Sequence, residues 1–120
     1  MRVIRVTTDL TVRDIGAAGA FYADYLGLEA QDMGLDWVTR FVVPGSGEHL
    51  QLVSRDATAP ENPLVTVKVD NVDDAYAEAL RRGYEIVHPL ITEPWGIHRF
   101  FVRAPDGTVF NIAQHDGDEP

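Results

Sequence analysis

The chain has 120 residues, 45% of them hydrophobic and 24% charged, which is enough for one domain with one sizeable core. Nineteen acidic against ten basic residues give a net charge of −9, which argues against nucleic acid, whose phosphates demand clustered Lys and Arg. There is no cysteine, so disulfides, thiolate zinc sites and Cys nucleophiles are excluded.

Met1-Arg2-Val3-Ile4-Arg5-Val6 lacks the apolar run of a signal peptide and reads as the start of a strand. No stretch approaches the roughly 20 apolar residues of a membrane span. A cytoplasmic protein with no membrane partner is therefore expected.

Leu10-Thr11-Val12-Arg13-Asp14 alternates as a strand and ends on a helix-capping residue. Ile15, Ala18, Phe21, Tyr22, Tyr25 and Leu26 follow at helical spacing, and Gly27 suits the position just past a helix end. A further strand is expected near residues 29–34. Asp36-Trp37-Val38-Thr39-Arg40-Phe41 alternates again, which would set Trp37, Thr39 and Phe41 on one face. Arg40 to Pro44, Gly45-Ser46-Gly47 and His49 to Val53 read as a β-hairpin. The segment 55–63 is polar and carries two prolines, as a linker would.

The same order then returns. Val65 to Asp70 alternates as a strand, and Asn71 caps a helix whose apolar face is Val72, Ala75, Tyr76, Ala79 and Leu80. Arg81 and Arg82 suit the negative end of its dipole, and Gly83 closes it. A strand is expected near 84–90. Arg99 to Arg103, Ala104-Pro105-Asp106-Gly107 and Val109 to Ala113 form a second hairpin, in which Pro presets φ and Gly tolerates a positive value. His115 to Pro120 reads as a frayed tail. The result is β-α-β-β-β twice, an internal repeat with half-modules 1–56 and 63–116.

With Leu10 to Asp14, Phe21-Tyr22, Leu26-Gly27-Leu28, Pro94-Trp95-Gly96, Arg99-Phe100 and Pro105-Asp106-Gly107 in this order, the chain resembles the glyoxalase/bleomycin-resistance/dioxygenase (vicinal oxygen chelate) superfamily. The resemblance spans nearly all of it as a single domain. It implies an α+β fold in which two βαβββ modules form a cup of curved mixed sheets, commonly in a homodimer. It also implies a divalent metal in catalytic members, held from four strand positions. Carried over by motif, those positions are Thr7, Gln51, Leu64 and Asn111. Leu64 has no donor, Thr7 is a poor one, and two neutral amides do not offset a dication, so no metal and no other cofactor is expected.

His49 and His98 fall on strands that would line the cup, and His98 is the histidine chosen as a general base if one acts. Glu48 and Glu93 border loops where they would meet a cationic ligand. His88 and His115 read as ordinary histidines. Trp37 and Trp95 offer rings for stacking. The expected ligand-binding set is Trp37, Thr39, Phe41, His49, Gln51, Trp95, His98 and Asn111, with no catalytic residue assigned. The expected function is metal-free binding of a small aromatic or cationic molecule, such as a sequestered antibiotic, as in the bleomycin-resistance branch. The alternative is a metal-independent isomerase, cyclase or lyase using His98 or a nearby Glu.

Overall fold

Both helices begin on the residues that the sequence marks. Asp14 is extended (φ −144°) and its carboxylate accepts from Ala17 N at 3.1 Å, starting α1 (Ile15–Ala20). Asn71 is likewise extended, and its side chain accepts from Asp74 N at 3.0 Å, starting α2 (Val72–Arg81). Glu78 pairs with both Arg81 and Arg82 at the end of α2, and Gly83 (φ 75°) stops it. The first helix does not continue to Gly27 in one form. After Ala20 it widens into a π-helical turn, Phe21–Tyr25, where Leu26 N reaches back to Phe21 O at 3.1 Å.

These coordinates are a computed structural model, which describes residues 1–115. The strands are β1 (Val3–Thr11), β2 (Glu29–Asp32), β3 (Val38–Val42), β4 (His49–Val53), β5 (Val65–Val69), β6 (Glu85–Thr92), β7 (Ile97–Arg103) and β8 (Val109–His115). With the two helices they make a mixed α+β fold of β-α-β-β-β twice over. His115 ends β8, and the rest of the expected frayed tail lies outside the described residues. Among the described residues, no helix is long and apolar enough to cross a membrane.

The chain divides into two units, Thr7–Asn62 (the N-terminal unit) and Pro63 onward together with Met1–Val6 (the C-terminal unit). In the N-terminal unit the strand order is β2-β3-β4-β1, with β1 parallel to β4 and the other pairs antiparallel. The C-terminal unit repeats this as β6-β7-β8-β5, with β5 parallel to β8.

Each sheet buries one face under its own helix. In the C-terminal unit Val69, Val72, Ala75, Ala79, Phe100 and Ile112 form the core, with Tyr76 edge-on to Phe100 at 4.9 Å. In the N-terminal unit Phe41 is 3% exposed and meets the Tyr22 ring at 5.6 Å. That contact fixes the side of β3: Phe41, Thr39 and their partners Leu50 and Leu52 face the helix, and Arg40 faces away. Phe21 and Tyr25 stack on each other at 5.3 Å and remain exposed.

Candidate functional site

On the side away from its helix, each sheet carries polar side chains in rows across the strands. In the N-terminal unit, Asp9, Gln51 and Arg40 sit opposite one another on β1, β4 and β3. Gln51 Nε2 donates to Asp9 Oδ1 at 2.7 Å, and Arg40 Nη2 donates to Gln51 Oε1 at 3.2 Å. Both ends of the Gln51 amide are thereby used inside a buried network, where Asp9 is only 1% exposed. On the same face, His49 Nε2 bonds Thr7 Oγ1 at 2.8 Å and His49 Nδ1 bonds Gly47 O at 3.1 Å.

In the C-terminal unit the corresponding row is His88, Phe101, Asn111 and Thr66, on β6, β7, β8 and β5. Asn111 Nδ2 donates to Thr66 Oγ1 at 3.2 Å, as Gln51 donates to Asp9. The likeness then stops, because Phe101 stands where Arg40 stands in the other unit and has no N–H to give. Asn111 Oδ1 is buried without a hydrogen-bond partner among the described residues.

Beside this row lies a charged cluster. The turn Glu93-Pro94-Trp95-Gly96 joins β6 to β7, closed by Glu93 N to Ile97 O at 2.8 Å and helped by Gly96 at φ 94°. Glu93 Oε2 accepts from Arg99 Nε at 2.7 Å and lies 2.9 Å from His88 Nε2. The Glu93 and Arg99 side chains are 1% and 3% exposed. The Arg99 guanidinium lies 5.1 Å from the centre of the Trp95 ring and 4.8 Å from that of Phe101, and His88 meets Phe101 edge-on at 5.3 Å. Burial of this kind requires the pairing, since an isolated buried charge is costly.

The expected ligand-binding residues are divided between the two units, and within each unit they fall on both sides of the sheet. Gln51 and His49 share the polar face of the N-terminal unit, and Asn111 and Trp95 belong to the C-terminal unit. Phe41 and Thr39 point to the helix side of β3, where the Phe41 ring is spent in the core against Tyr22. Trp37 precedes β3 in a turn, half-buried, with its carbonyl accepting from Ser54 N at 3.0 Å, which extends the β3–β4 pairing by one residue. His98 lies on the Phe100 side of β7, the side toward α2, and its Nδ1 bonds Thr92 Oγ1 at 2.8 Å. Glu48, exposed in the first hairpin turn, faces Ser46 Oγ at 3.4 Å. An open polar groove of about 440 Å³ is lined by Thr11, Ser54, Arg55, Ala59, Pro60, Glu61 and Asn62, none of them in the expected set.

Asp9, Arg40, His88, Glu93 and Arg99 were not in that set. Arg40 and Arg99 each precede a Phe and look like repeat mates, but pairing separates them: Arg40 lies opposite Gln51, while Arg99 lies opposite Ala113 and Phe101 opposite Asn111. His88 was concealed by irregular pairing. Ile86 packs toward α2, so alternation alone sends His88 the same way, yet register shifts on both sides turn it to Phe101. Pro89 within the strand is the one sequence signal for that irregularity.

The four positions that the resemblance assigns to a metal do not suit a divalent cation. Leu64 is 49% exposed and has no donor, Thr7 is engaged with His49, and Gln51 sits against the Arg40 guanidinium. Asn111 alone has a heteroatom to offer, and one neutral amide is not a metal site. Among the described residues, no three His, Asp or Glu side chains come together as metal ligands.

Repeated βαβββ units, each with a parallel first and last strand and a polar face away from its helix, define the class of paired-module proteins to which glyoxalases belong. The model of the glyoxalase/bleomycin resistance protein/dioxygenase superfamily matches residues 4–112, and the chain belongs to that superfamily. Among solved structures, a superfamily member from Vibrio splendidus 12B01 is 21% identical over 94% of this chain and 99% of its own, with a TM-score of 0.71. A structure described as an NAD-dependent benzaldehyde dehydrogenase from Legionella pneumophila is 17% identical, with a TM-score of 0.75 over 92% of this chain and 99% of its own. The Mn(II)-bound glyoxalase from Novosphingobium aromaticivorans is 27% identical over 94% of this chain but only 39% of its own, with a TM-score of 0.64. No curated protein matches the chain.

Proposed function

We propose that the protein binds a small organic ligand of aromatic character without a divalent metal and releases it unchanged, as a cytoplasmic drug-sequestering protein would. The observation that carries this reading is the stack of Trp95, Arg99 and Phe101 held by Glu93. It is a platform held by a buried ion pair, with one half-exposed ring, on the face of the sheet that also carries the Asn111 amide. Arg99 already supplies a cation to the Trp95 ring, so an aromatic ligand suits this face better than a cationic one. Catalytic metal chemistry, as in the Mn(II)-bound relative, would need donors that Leu64 and Thr7 do not provide.

The reading includes a homodimer, supported by the exposed apolar residues Phe21, Tyr25 and Leu26 at 54%, 77% and 47%, and light scattering reads the mass directly.

A metal-independent isomerase, cyclase or lyase is favoured by one observation, the buried pairing of His88 with Glu93. A carboxylate beside an imidazole fixes the ring and supports proton transfer. His98, tied to Thr92 on the other side of β7, and Glu48, in a hairpin turn, are less suited to that role. Titration with aromatic antibiotics and metabolites, followed by product analysis, separates the two. Saturable binding with the ligand recovered intact supports sequestration, and metal-free turnover that is lost in His88→Ala supports the enzyme.

A further inference from the structure

The two halves use one arrangement and complete it differently. In each, an amide on the last strand donates to the residue opposite it on the first strand: Gln51 to Asp9 at 2.7 Å and Asn111 to Thr66 at 3.2 Å. In the N-terminal unit the amide oxygen is then satisfied by Arg40, 3.2 Å away on the neighbouring strand. In the C-terminal unit the residue at that place is Phe101, so the Asn111 Oδ1 acceptor is buried and unmet among the described residues. A buried acceptor without a donor is costly, and folded proteins seldom keep one without a use.

We propose that Asn111 Oδ1 receives the hydrogen bond that the ligand brings, so that the ligand is a planar aromatic compound with an N–H or O–H donor on its edge. This deepens the binding reading given above and rests on it. The ring lies among Phe101, Trp95 and His88, and the donor points at β8. In the structure Nδ2 donates to the Thr66 hydroxyl, so the atom left open is the acceptor Oδ1. Methylation of the donor is therefore the change the site tolerates least, since it removes the hydrogen and adds bulk where Oδ1 is enclosed. Oδ1 is almost wholly covered, so the donor arrives with movement of the surrounding side chains, of which Trp95 is the half-exposed one.

The probes are matched pairs, quinoxalin-2-one with 1-methylquinoxalin-2-one and indole with 1-methylindole, titrated by calorimetry into the whole chain, wild type and Asn111→Leu. The expected result is a preference of tenfold or more for the unmethylated partner. That preference falls to within about twofold in Asn111→Leu and persists in Asn111→Asp, which keeps an acceptor. Equal binding of both partners to the wild type overturns this inference and leaves the binding reading standing. Absence of binding by all four probes overturns both.

A second readout needs no ligand. Asn111→Leu removes an unmet acceptor, whereas Gln51→Met removes an amide bonded at both ends, so in urea titrations Asn111→Leu raises the unfolding constant at least tenfold less than Gln51→Met does. Equal losses in the two variants overturn the assignment of Oδ1 as open.

Discussion

Replacing Glu93 by Gln keeps the size and shape of the side chain and removes one charge from a place with almost no solvent. Glu93 Oε2 holds Arg99 at 2.7 Å and His88 at 2.9 Å, with the two charged side chains 1% and 3% exposed. Removing one partner of a buried ion pair costs about 3–5 kcal/mol, because the remaining charge stays desolvated. The rings of Trp95 and Phe101 give Arg99 some compensation, which places the expectation at the low end, about 3 kcal/mol. For a chain of this length that corresponds to a fall in Tm of roughly 12 °C. The assay is urea denaturation followed by circular dichroism, with Trp fluorescence in parallel. The double variant Glu93→Leu/Arg99→Met removes both charges and recovers most of the loss, since apolar replacement of a whole buried pair is near neutral or better. A cost below about 1 kcal/mol for Glu93→Gln, the value of an exposed pair, would show that Arg99 is not held as a buried charge.

The helix caps differ in consequence. Asn71→Ala lowers global stability by about 1 kcal/mol, because α2 carries three buried residues, Val72, Ala75 and Ala79. Asp14→Ala opens α1, which has none, so the change appears as faster amide exchange at Ala17 and Ala18, with little effect on global unfolding. The Thr108 amide donates to Asp106 at 3.0 Å and lowers its pKa below 3.8. A depressed carboxylate pKa contributes stability that is present above the unfolded value and lost as pH falls through the folded one. The difference between wild type and Asp106→Ala therefore shrinks below about pH 4 and is constant above pH 5, as acid titration of urea midpoints reads. Addition of Zn²⁺ or Mn²⁺ gives no saturable heat in the micromolar range, and a stoichiometric site would contradict the assignment of Thr7, Gln51, Leu64 and Asn111 as unfit for a metal.

Local signals carried the fold. Asp14 and Asn71 as caps, Gly27 and Gly83 as stops, and Pro105-Asp106-Gly107 as a turn each act through their own backbone chemistry, which does not depend on distant partners. Strand pairing is the level at which sequence reading stops. The run from Asp36 to Phe41 alternates correctly from Val38 onward, but only the Tyr22 contact shows that Phe41 belongs to the core and Arg40 to the polar face. Arg40-Phe41 and Arg99-Phe100 look equivalent as dipeptides, yet differ by two residues in register relative to the amide opposite. Irregular pairing in β6 turns His88 away from the side that alternation assigns to it, and so hides the His88–Glu93–Arg99 cluster from any reading of residue spacing. His88 and Arg99 lie only five and six residues from Glu93, yet their pairing becomes visible only once the register of β6 and β7 is in place.

Metal-free ligand binding is tested most directly by a calorimetric titration of the chain, kept in excess chelator, with aromatic antibiotics and donor-bearing heteroaromatics, followed by mass spectrometry of every recovered ligand. Saturable binding is expected at one ligand per subunit or per dimer, with quenching of Trp95 fluorescence that is lost in Trp95→Phe, and recovery of the ligand unchanged. Binding that appears only when a divalent metal is restored, or a ligand recovered chemically altered, would contradict that expectation.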